Sequence, residues 1–418
     1  MLPDALAVDF GTSNTAAAVL ENGAVRPIAI EAGAATLPTA VFLPEGGGDL
    51  IIGQAAVDAL ISGEDGRFMR ALKSVLGTPL LHEKRMIAGR RRALADLIAG
   101  FLRRLRERAE AEAGRPFPVA LSGRPVRFHS ADAAADARAE DDLRACYGVA
   151  GFESVEFLAE PEAAALAAAA LGAPAGGDLG LIVDIGGGTS DFSAFRGAAD
   201  PAGRPEILAS HGIRLGGTDF DHLLSMAKVM PLLGLGGELR REMGPGRLPV
   251  PRAPYADLAT WAKIPFLYTG ETRRMVAGMV RAAVEPETLA RFADVLAREL
   301  GHDLAFAVER GKIDANAGQG EGRIDLGLIE AGLGVPLSAR ALDDVLARDR
   351  AALREAAAET LRQAGARPDA VGRVIPVGGS SLMGFVSEEM GALCPNAEIL
   401  RAKAFTAVVD GLALATGG

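Results

Sequence analysis

A glycine-rich turn in the middle of the chain carries side chains that could do chemistry. A short apolar run ends at Asp184, glycines occupy positions 186–188, and Thr189, Ser190 and Asp191 follow. Glycines and small residues after a buried strand let backbone amides approach an anion closely, and phosphate is the usual anion. Two aspartates beside that anion would require a cation such as Mg²⁺ between them. The alternative is a tight hairpin turn with its acidic side chains in solvent.

The same pattern occurs near the start of the chain. An apolar run leads into Asp9, Gly11, Thr12 and Ser13, and apolar residues resume after Asn14. A motif repeated in matched context is stronger evidence than a single glycine loop. The repetition therefore predicts two similar lobes that bind one nucleotide between them.

Two further glycine corners follow in the second half of the sequence. Gly216 and Gly217 lead into Asp219 and Asp221, which either approach a ligand or cap a helix. At the second corner, a buried strand at 373–377 runs into Gly378, Gly379, Ser380 and Ser381 before a helix. A double glycine between a strand and a helix favours close approach of the backbone to a nucleotide.

Composition limits the classes of function that the chain can have. Its 418 residues suffice for two domains, and a net charge of −10 argues against nucleic acid as a general partner. Two cysteines make a disulfide framework or a cysteine-based metal site improbable. No apolar run approaches the length of a membrane span, and the N-terminus lacks a basic region, so we expect a cytoplasmic protein.

Periodicity and turn signals predict the secondary structure. A hairpin is expected at 20–25, where Asn22-Gly23 is a strong turn signal, and 231–254 reads as a surface excursion. Helices are predicted at 54–61, 92–114, 131–147, 162–171, 288–316, 341–365, 382–393 and 404–415, and strands at 40–43, 50–53, 117–121, 152–157 and 373–377. The Pro- and Gly-containing segment 173–177 predicts a lobe boundary.

Several charged residues have two interpretations. Lys73 shares a segment with apolar residues at helical spacing, which favours a solvated helix face over a functional role. Glu160 stands at a strand-to-helix corner, where a carboxylate either acts on a ligand or only complements the helix start. Glu309 and Lys312 are three residues apart, a spacing typical of a surface ion pair.

The motifs in this order resemble those of the actin-like ATPase superfamily. They are Asp-Phe-Gly-Thr-Ser-Asn, Glu-Pro-Glu-Ala-Ala-Ala-Leu, Asp-Ile-Gly-Gly-Gly-Thr-Ser-Asp-Phe, Gly-Gly-Thr-Asp-Phe-Asp and Val-Gly-Gly-Ser-Ser. Within that superfamily the chain is similar to the nucleotide-binding domain of DnaK-type heat-shock chaperones. The segments 51–56 and 68–77 match chaperones and not actins or sugar kinases, and the short YegD-like branch is the nearest likeness.

The resemblance implies roles for the residues that match its motifs. Asp9 and Asp184 would hold hydrated Mg²⁺, while Lys73, Glu160, Asp191 and Thr189 would position the attacking water and stabilise the γ-phosphate of ATP. The implied binding residues for ATP or ADP are Gly11, Thr12, Ser13, Asn14, Gly186, Gly187, Gly188, Thr189, Gly216, Gly217, Glu309, Lys312, Gly378, Gly379 and Ser380. These roles favour function over the solvated-face interpretation of Lys73, because phosphoryl transfer depends on positioning and charge neutralisation.

The resemblance also implies an architecture. The fold class would be α/β, with two ribonuclease H-like lobes, each carrying an inserted subdomain, and nucleotide in the cleft between them. Lobe I would comprise residues 1–176 with an insertion at about 33–92, and a C-terminal helix at 402–418 would return to it. Lobe II would comprise 177–401 with an insertion at about 222–318.

The sequence departs from the chaperone pattern in two respects. The positions of two arginines that sandwich the adenine in those chaperones correspond to Ile313 and Leu382. Nothing in the sequence resembles the linker and peptide-binding domain that follow in those chaperones, so we expect no such domain.

The expected function is that of an ATP-binding, slowly hydrolysing conformational switch, with an unidentified client or partner protein. Three alternatives use the same site. An actin-like filament protein would sediment with ATP, and a small-molecule kinase would phosphorylate a sugar or carboxylic acid. A reactivating or assembly factor would be captured with one specific enzyme.

Overall fold

The structure is a computed structural model that describes all residues except 1, 3, 32, 130–131, 171–177, 199–204, 242, 318–321, 401–405 and 418. The chain divides into two compact units, Met1–Gly217 with Arg350–Gly418, and Thr218–Asp349. The predicted linker at 173–177 lies outside the described residues. No helix in the described part of the chain is long and apolar enough to cross a membrane.

The described part of the chain contains both strands and helices, numbered here in chain order. The strands are β1 (Ala5–Phe10), β2 (Asn14–Glu21), β3 (Ala24–Pro27), β4 (Leu37–Pro38), β5 (Ala40–Pro44), β6 (Ile51–Ile52), β7 (Gly66–Arg70), β8 (Arg85–Ile87), β9 (Arg90–Arg92), β10 (Val119–Arg124), β11 (Ser154–Ala159), β12 (Leu179–Ile185), β13 (Ser190–Arg196), β14 (Glu206–Ile213), β15 (Glu238–Arg240), β16 (Arg247–Pro249), β17 (Gly322–Asp325), β18 (Gly334–Leu337), β19 (Val371–Val377) and β20 (Glu398–Ile399). The helices are α1 (Gln54–Ile61), α2 (Leu94–Ala113), α3 (Ala133–Ala150), α4 (Glu160–Ala170), α5 (Gly217–Leu224), α6 (Ala253–Leu258), α7 (Gly270–Ala282), α8 (Pro286–Ala297), α9 (Gly301–Asn316), α10 (Ala339–Gln363), α11 (Gly384–Leu393) and α12 (Ala407–Thr416). The predicted α/β class is confirmed.

The first unit contains two mixed sheets with the same local topology. One sheet has the order β11-β10-β1-β2-β3, and the other has the order β14-β13-β12-β19-β20. In each, a buried strand (β1 or β12) forms an antiparallel hairpin with the next strand and pairs in parallel with a distant one (β10 or β19). The two glycine turns singled out in the sequence close these two hairpins.

Helices α4 and α12 pack against each other at close range because their contact residues are small. A Cβ added to Gly411 would lie 1.7 Å from the carbonyl oxygen of Ala163, so no larger residue fits there without a backbone shift. The same core includes Leu412 on α12, Ile182 on β12 and Ala7 on β1. It therefore joins these helices to both sheets and fixes the strand ends that carry the glycine turns.

The second unit contains most of α5, helices α6–α9, the start of α10, the exposed hairpin β15–β16 and the partly buried hairpin β17–β18. The first hairpin fits the surface excursion expected at 231–254. The prediction of one helix over 288–316 is wrong, because the chain breaks at Glu299, whose φ is 56°. The hydroxyl of Tyr268 donates to the carbonyl oxygen of Glu299 and accepts from the amide of Gly301, each at 3.0 Å, and so stabilises the break.

Candidate functional site

The glycine turns, Lys73 and Glu160 line one cavity in the first unit. Together with the open solvent space at its mouth, the cavity has a volume of about 640 Å³. The sequence-predicted site residues that line it are Asp9, Gly11, Thr12, Asn14, Lys73, Glu160, Asp184, Gly186, Thr189, Gly378 and Gly379. Its mixture of amides, hydroxyls and charged groups suits a small polar ligand.

The two hairpin turns have the same internal hydrogen bond. The amide of Gly11 donates to the carbonyl oxygen of Asn14 at 3.1 Å, and the amide of Gly186 donates to that of Thr189 at 3.0 Å. The repeated sequence motif therefore folds into a repeated backbone turn. A Cβ added to Gly186 would meet its nearest atom only at 3.7 Å, so a side chain there would extend into open space without striking the backbone.

Other predicted glycines are needed where one turn packs on another. A Cβ on Gly187 would lie 2.4 Å from Ser13 Oγ, and a Cβ on Gly216 would lie 2.6 Å from the amide nitrogen of Gly188. A Cβ on Gly217 would lie 2.3 Å from Ser380 Oγ. These approaches are closer than a real Cβ tolerates, so packing of the turns accounts for these glycines without reference to a ligand.

Lys73 is buried, so the solvated-face interpretation is wrong. It lies in a 3₁₀ turn, Leu72–Val75, that follows Ala71, whose φ is 60°. Its Nζ donates to Oε1 of Glu160 at 2.8 Å, and the two side chains are 7% and 10% exposed. Glu160 begins α4 and is equally withdrawn from solvent, so it does more than complement a helix start.

Burial and repulsion by neighbouring carboxylates raise the pKa values of Asp9 and Asp184 in the cavity. Burial and the charge of Glu160 raise the pKa of Asp9 to about 7, although Lys73 opposes the shift. The same two causes, burial first, hold the pKa of Asp184 well above its usual range. Burial works to lower the pKa of Lys73, but the charges of Glu160 and Asp9 outweigh it and the pKa is raised. The site therefore has excess negative charge when these groups ionise.

The donor chemistry of Asp9 and Asp184 fits a hydrated Mg²⁺. Carboxylate oxygens are the ligands that this hard cation prefers, and it commonly uses one or two together with water and phosphate. Within the described residues, no group of three or more His, Cys, Asp or Glu side chains has the arrangement of a closed metal site. A two-carboxylate site open to water and phosphate is compatible with that result.

Asp191 lies apart from the cavity lining. Its Oδ1 accepts the amide of Val126 at 2.7 Å, and a Cβ on Gly212 would lie 2.4 Å from the same oxygen. Burial, followed by the charge of Glu160, raises its pKa to about 8. In this structure Asp191 fixes the segment at residue 126, and its proposed action on the attacking water stays a prediction.

Lys312 is not part of a surface ion pair, and that interpretation is wrong. In the second unit its Nζ donates to Oδ1 of Asp221 at 2.6 Å, and the lysine is 7% exposed. Trp261 Nε1 donates to the other oxygen of Asp221 at 3.3 Å. Asp221 therefore forms a buried ion pair with Lys312. The implied roles of Glu309 and Lys312 near the ribose stay predictions.

Sequence reasoning missed the residues that hold the Lys73 turn. The imidazole Nε2 of His129 lies 2.7 Å from the carbonyl oxygen of Leu76, and Arg214 Nη2 donates to that of Ser74 at 3.0 Å. Asp142 Oδ2 accepts the amide of Gly77 at 2.9 Å. Among these residues, the sequence offered an indication only for Arg214, which stands two residues before the glycine corner at Gly216 and Gly217.

Comparison with known proteins connects this site to a chaperone family. The family model for Hsp70 protein matches residues 82–229, a stretch that includes Glu160, Asp184 and the second glycine turn. The matches support a nucleotide-binding domain of the Hsp70 type. Asp9, Lys73 and Gly378 lie outside the matched stretch, and their placement in one cavity with the others comes from the structure.

Individual relatives agree with the family match. The chain is 32% identical over 252 residues to a chaperone protein HscA homolog of Azoarcus sp. (strain BH72), covering 54% of this chain and 38% of that protein. It is 32% identical over 255 residues to the HscA homolog of Pseudomonas putida (56% and 38%) and 30% identical over 219 residues to the chaperone protein DnaK of Metamycoplasma hominis (52% and 34%). The matches therefore span little more than a third of those chaperones.

Proposed function

We propose that this chain binds ATP with Mg²⁺, hydrolyses it slowly to ADP and phosphate, and changes conformation with the bound nucleotide, as a chaperone-like switch. The observation that carries the proposal is one cavity that holds the Lys73–Glu160 pair and Asp9 and Asp184, beside two turns of the same hydrogen-bonded geometry. The similarity to Hsp70, HscA and DnaK proteins supports it.

The chain's own groups have distinct tasks in this proposal. Amides and hydroxyls of the turns at Thr12 and Thr189 bind the phosphate oxygens, as strand-to-turn amides commonly do. Bound Mg²⁺, held through water by Asp9 and Asp184, would supply charge neutralisation at the phosphates. Lys73 stabilises charge on the γ-phosphate, and Glu160 orients the attacking water.

Finer assignments belong to the same proposal. We place the chain nearest the short YegD-like branch, with two lobes at 1–176 and 177–401, a cytoplasmic location and a client or partner protein. The chaperone-like segment with Lys73 favours this branch over actins and sugar kinases. Affinity capture in the presence of ATP and of ADP would identify the partner by a nucleotide-dependent difference.

Substitution of Gly186 by valine gives a direct test. The added side chain would occupy the open space beside the second turn, so we expect ATP binding to weaken by at least about tenfold, the effect of losing roughly 1.4 kcal/mol. Calorimetric titration with Mg²⁺ and ATP measures the loss. Gly391→Val on α11, where a Cβ meets nothing within 4 Å, is the control and should bind ATP normally. Absence of ATP binding by the parent protein, or normal binding by Gly186→Val, would contradict the proposal.

The two positions that the resemblance assigns to the adenine provide a second prediction. Ile313 and Leu382 are 56% and 37% exposed, and each lacks the charge of an arginine. Because a cation stacked on a ring contributes roughly 0.5–2 kcal/mol, we expect Ile313→Arg with Leu382→Arg to tighten ATP binding by about fivefold or more. Titration at matched ionic strength checks this. Ile61→Arg, at another exposed apolar position, controls for general charge, and equal affinities in all variants would show that the two positions do not contact adenine.

A further inference from the structure

One β-hairpin in the first unit concentrates positive charge. This basic hairpin, residues 84–92, consists of β8 and β9 joined by Ala88 and Gly89, whose φ values of 47° and 72° are typical of a two-residue turn. It has five basic residues and no acidic one, whereas the chain as a whole has a net charge of −10. All three residues of β9 are arginines, so both faces of that strand are cationic.

Most of these cations are not neutralised within the described part of the protein. Arg85 pairs with Glu83 at 2.6 Å. The side chains of the other four form no hydrogen bond or ion pair with a described residue; they are Lys84, Arg90, Arg91 and Arg92. Across the hairpin, Arg85 lies directly opposite Arg92, and like charges in such a pair destabilise it. An anionic partner would therefore relieve repulsion that the protein itself leaves in place.

The surface of the basic hairpin favours a protein segment over a membrane or a nucleic acid. Of its nine residues, all described, only Met86 is large, apolar and exposed (66%), which is too little apolar surface for burial in a bilayer. It has no aromatic residue on which bases could stack. Strands β8 and β9 form a two-stranded sheet, so each has an edge without a neighbouring strand among the described residues. An extended peptide can pair with such an edge through main-chain hydrogen bonds.

We propose that the basic hairpin is a docking site for an acidic segment of a partner protein, which pairs as an extended strand with the outer edge of β9. The segment is a run of consecutive Asp or Glu residues, because every side chain of β9 is cationic and opposite charges across a strand pair are favourable. The exposed guanidinium groups of Arg90 and Arg91 bind its carboxylates. This inference goes beyond the proposed function, since the basic hairpin does not line the nucleotide cavity and docking does not require ATP.

The test is the binding of a dye-labelled peptide with four consecutive glutamates, followed by fluorescence anisotropy, with the same peptide carrying glutamines as the reference. We expect Arg90→Gln with Arg91→Gln to weaken binding by about tenfold. Arg274→Gln with Arg281→Gln, at two exposed arginines on α7, is the matched control and should bind as the parent does. Arg90→Glu with Arg91→Glu should lose the glutamate peptide and bind a lysine counterpart instead.

Three results would overturn the inference. One is equal binding of the glutamate and glutamine peptides by the parent, or equal losses in the basic-hairpin and α7 variants. Another is unchanged affinity for a glutamate peptide with N-methylated amides, since strand pairing needs those amides. The third is tighter binding, dependent on Arg90 and Arg91, of phosphatidylglycerol vesicles or of oligothymidine, which would assign the basic hairpin to a membrane or a nucleic acid. Because no nucleotide is present, none of these results bears on the proposed ATP function.

Discussion

Lys73→Ala is expected to lower single-turnover ATP hydrolysis by about 100-fold or more and to leave ATP binding largely intact. Removing one positioned donor from a developing charge typically has an effect of that size. The expectation rests on the position of Lys73, whose Nζ lies 2.8 Å from Oε1 of Glu160 inside the cavity and away from bulk water. Rapid quench of a stoichiometric ATP–protein mixture measures the rate.

Two controls make the Lys73 result interpretable. Lys84→Ala removes an exposed lysine and should hydrolyse ATP at the parent rate. Because Lys73→Ala leaves Glu160 buried without its cation, it could lose a few kcal/mol of stability. Lys73→Met keeps an unbranched side chain without the charge, and a thermal melt checks that each Lys73 variant is folded at the assay temperature. Hydrolysis at the parent rate by either Lys73 variant would exclude a catalytic role.

Local signals in the sequence predicted much of the fold. The apolar stripe of α2 and its stop at Gly114 were visible because periodicity and a left-handed glycine at a helix end are properties of a few neighbouring residues. Helix α1 has the predicted bounds, Gln54–Ile61. The break at Glu299 was missed because the contact that stabilises it comes from Tyr268, a distant residue in the sequence.

The sequence predicted the location of the candidate site but not the part that each residue plays in it. The doubled motif located both turns, which share the same backbone hydrogen bond. The sequence could not separate a glycine that faces a cavity, such as Gly186, from one that packs on another turn, such as Gly187 or Gly216. Both kinds lack a side chain for the same steric reason, and only the position of the neighbouring atoms distinguishes them.

Charged residues were misinterpreted when their partners were distant in sequence. Spacing suggested that Lys312 pairs with Glu309 at the surface, whereas its described partner is Asp221, which precedes it by 91 residues. Lys73 likewise looked like part of a solvated face, although it is paired with Glu160, 87 residues away. Spacing along a helix identifies only ion-pair partners that are close in sequence. It gives no information on partners that the tertiary fold brings near.

Asp9→Asn is expected to stabilise the nucleotide-free protein and to weaken Mg²⁺-dependent ATP binding. The pKa of Asp9 is about 7 in the folded protein, against 3.8 for the ordinary group. Between those values the folded protein retains a proton that the unfolded chain has lost, so the free energy of unfolding of the parent falls as the pH rises. Asparagine has no such proton to lose. The advantage of the variant should therefore grow from about pH 4 to pH 7 and reach up to roughly 4 kcal/mol above it.

With Mg²⁺ and ATP present, the parent should become more stable than Asp9→Asn. A cation beside Asp9 and Asp184 neutralises the charges that destabilise the parent, so Mg²⁺ with ATP should raise the parent's melting temperature more at pH 8 than at pH 6. Asp9→Asn should show a smaller rise and lose at least about tenfold in Mg²⁺-dependent affinity, since even outer partners of a metal are worth that much.

Thermal melts in chelator and in Mg²⁺ with ATP, with exposed Asp178→Asn as the control, measure both effects. Equal pH dependence of the parent and Asp9→Asn in chelator would contradict the raised pKa, and unchanged magnesium dependence would remove Asp9 from the metal site.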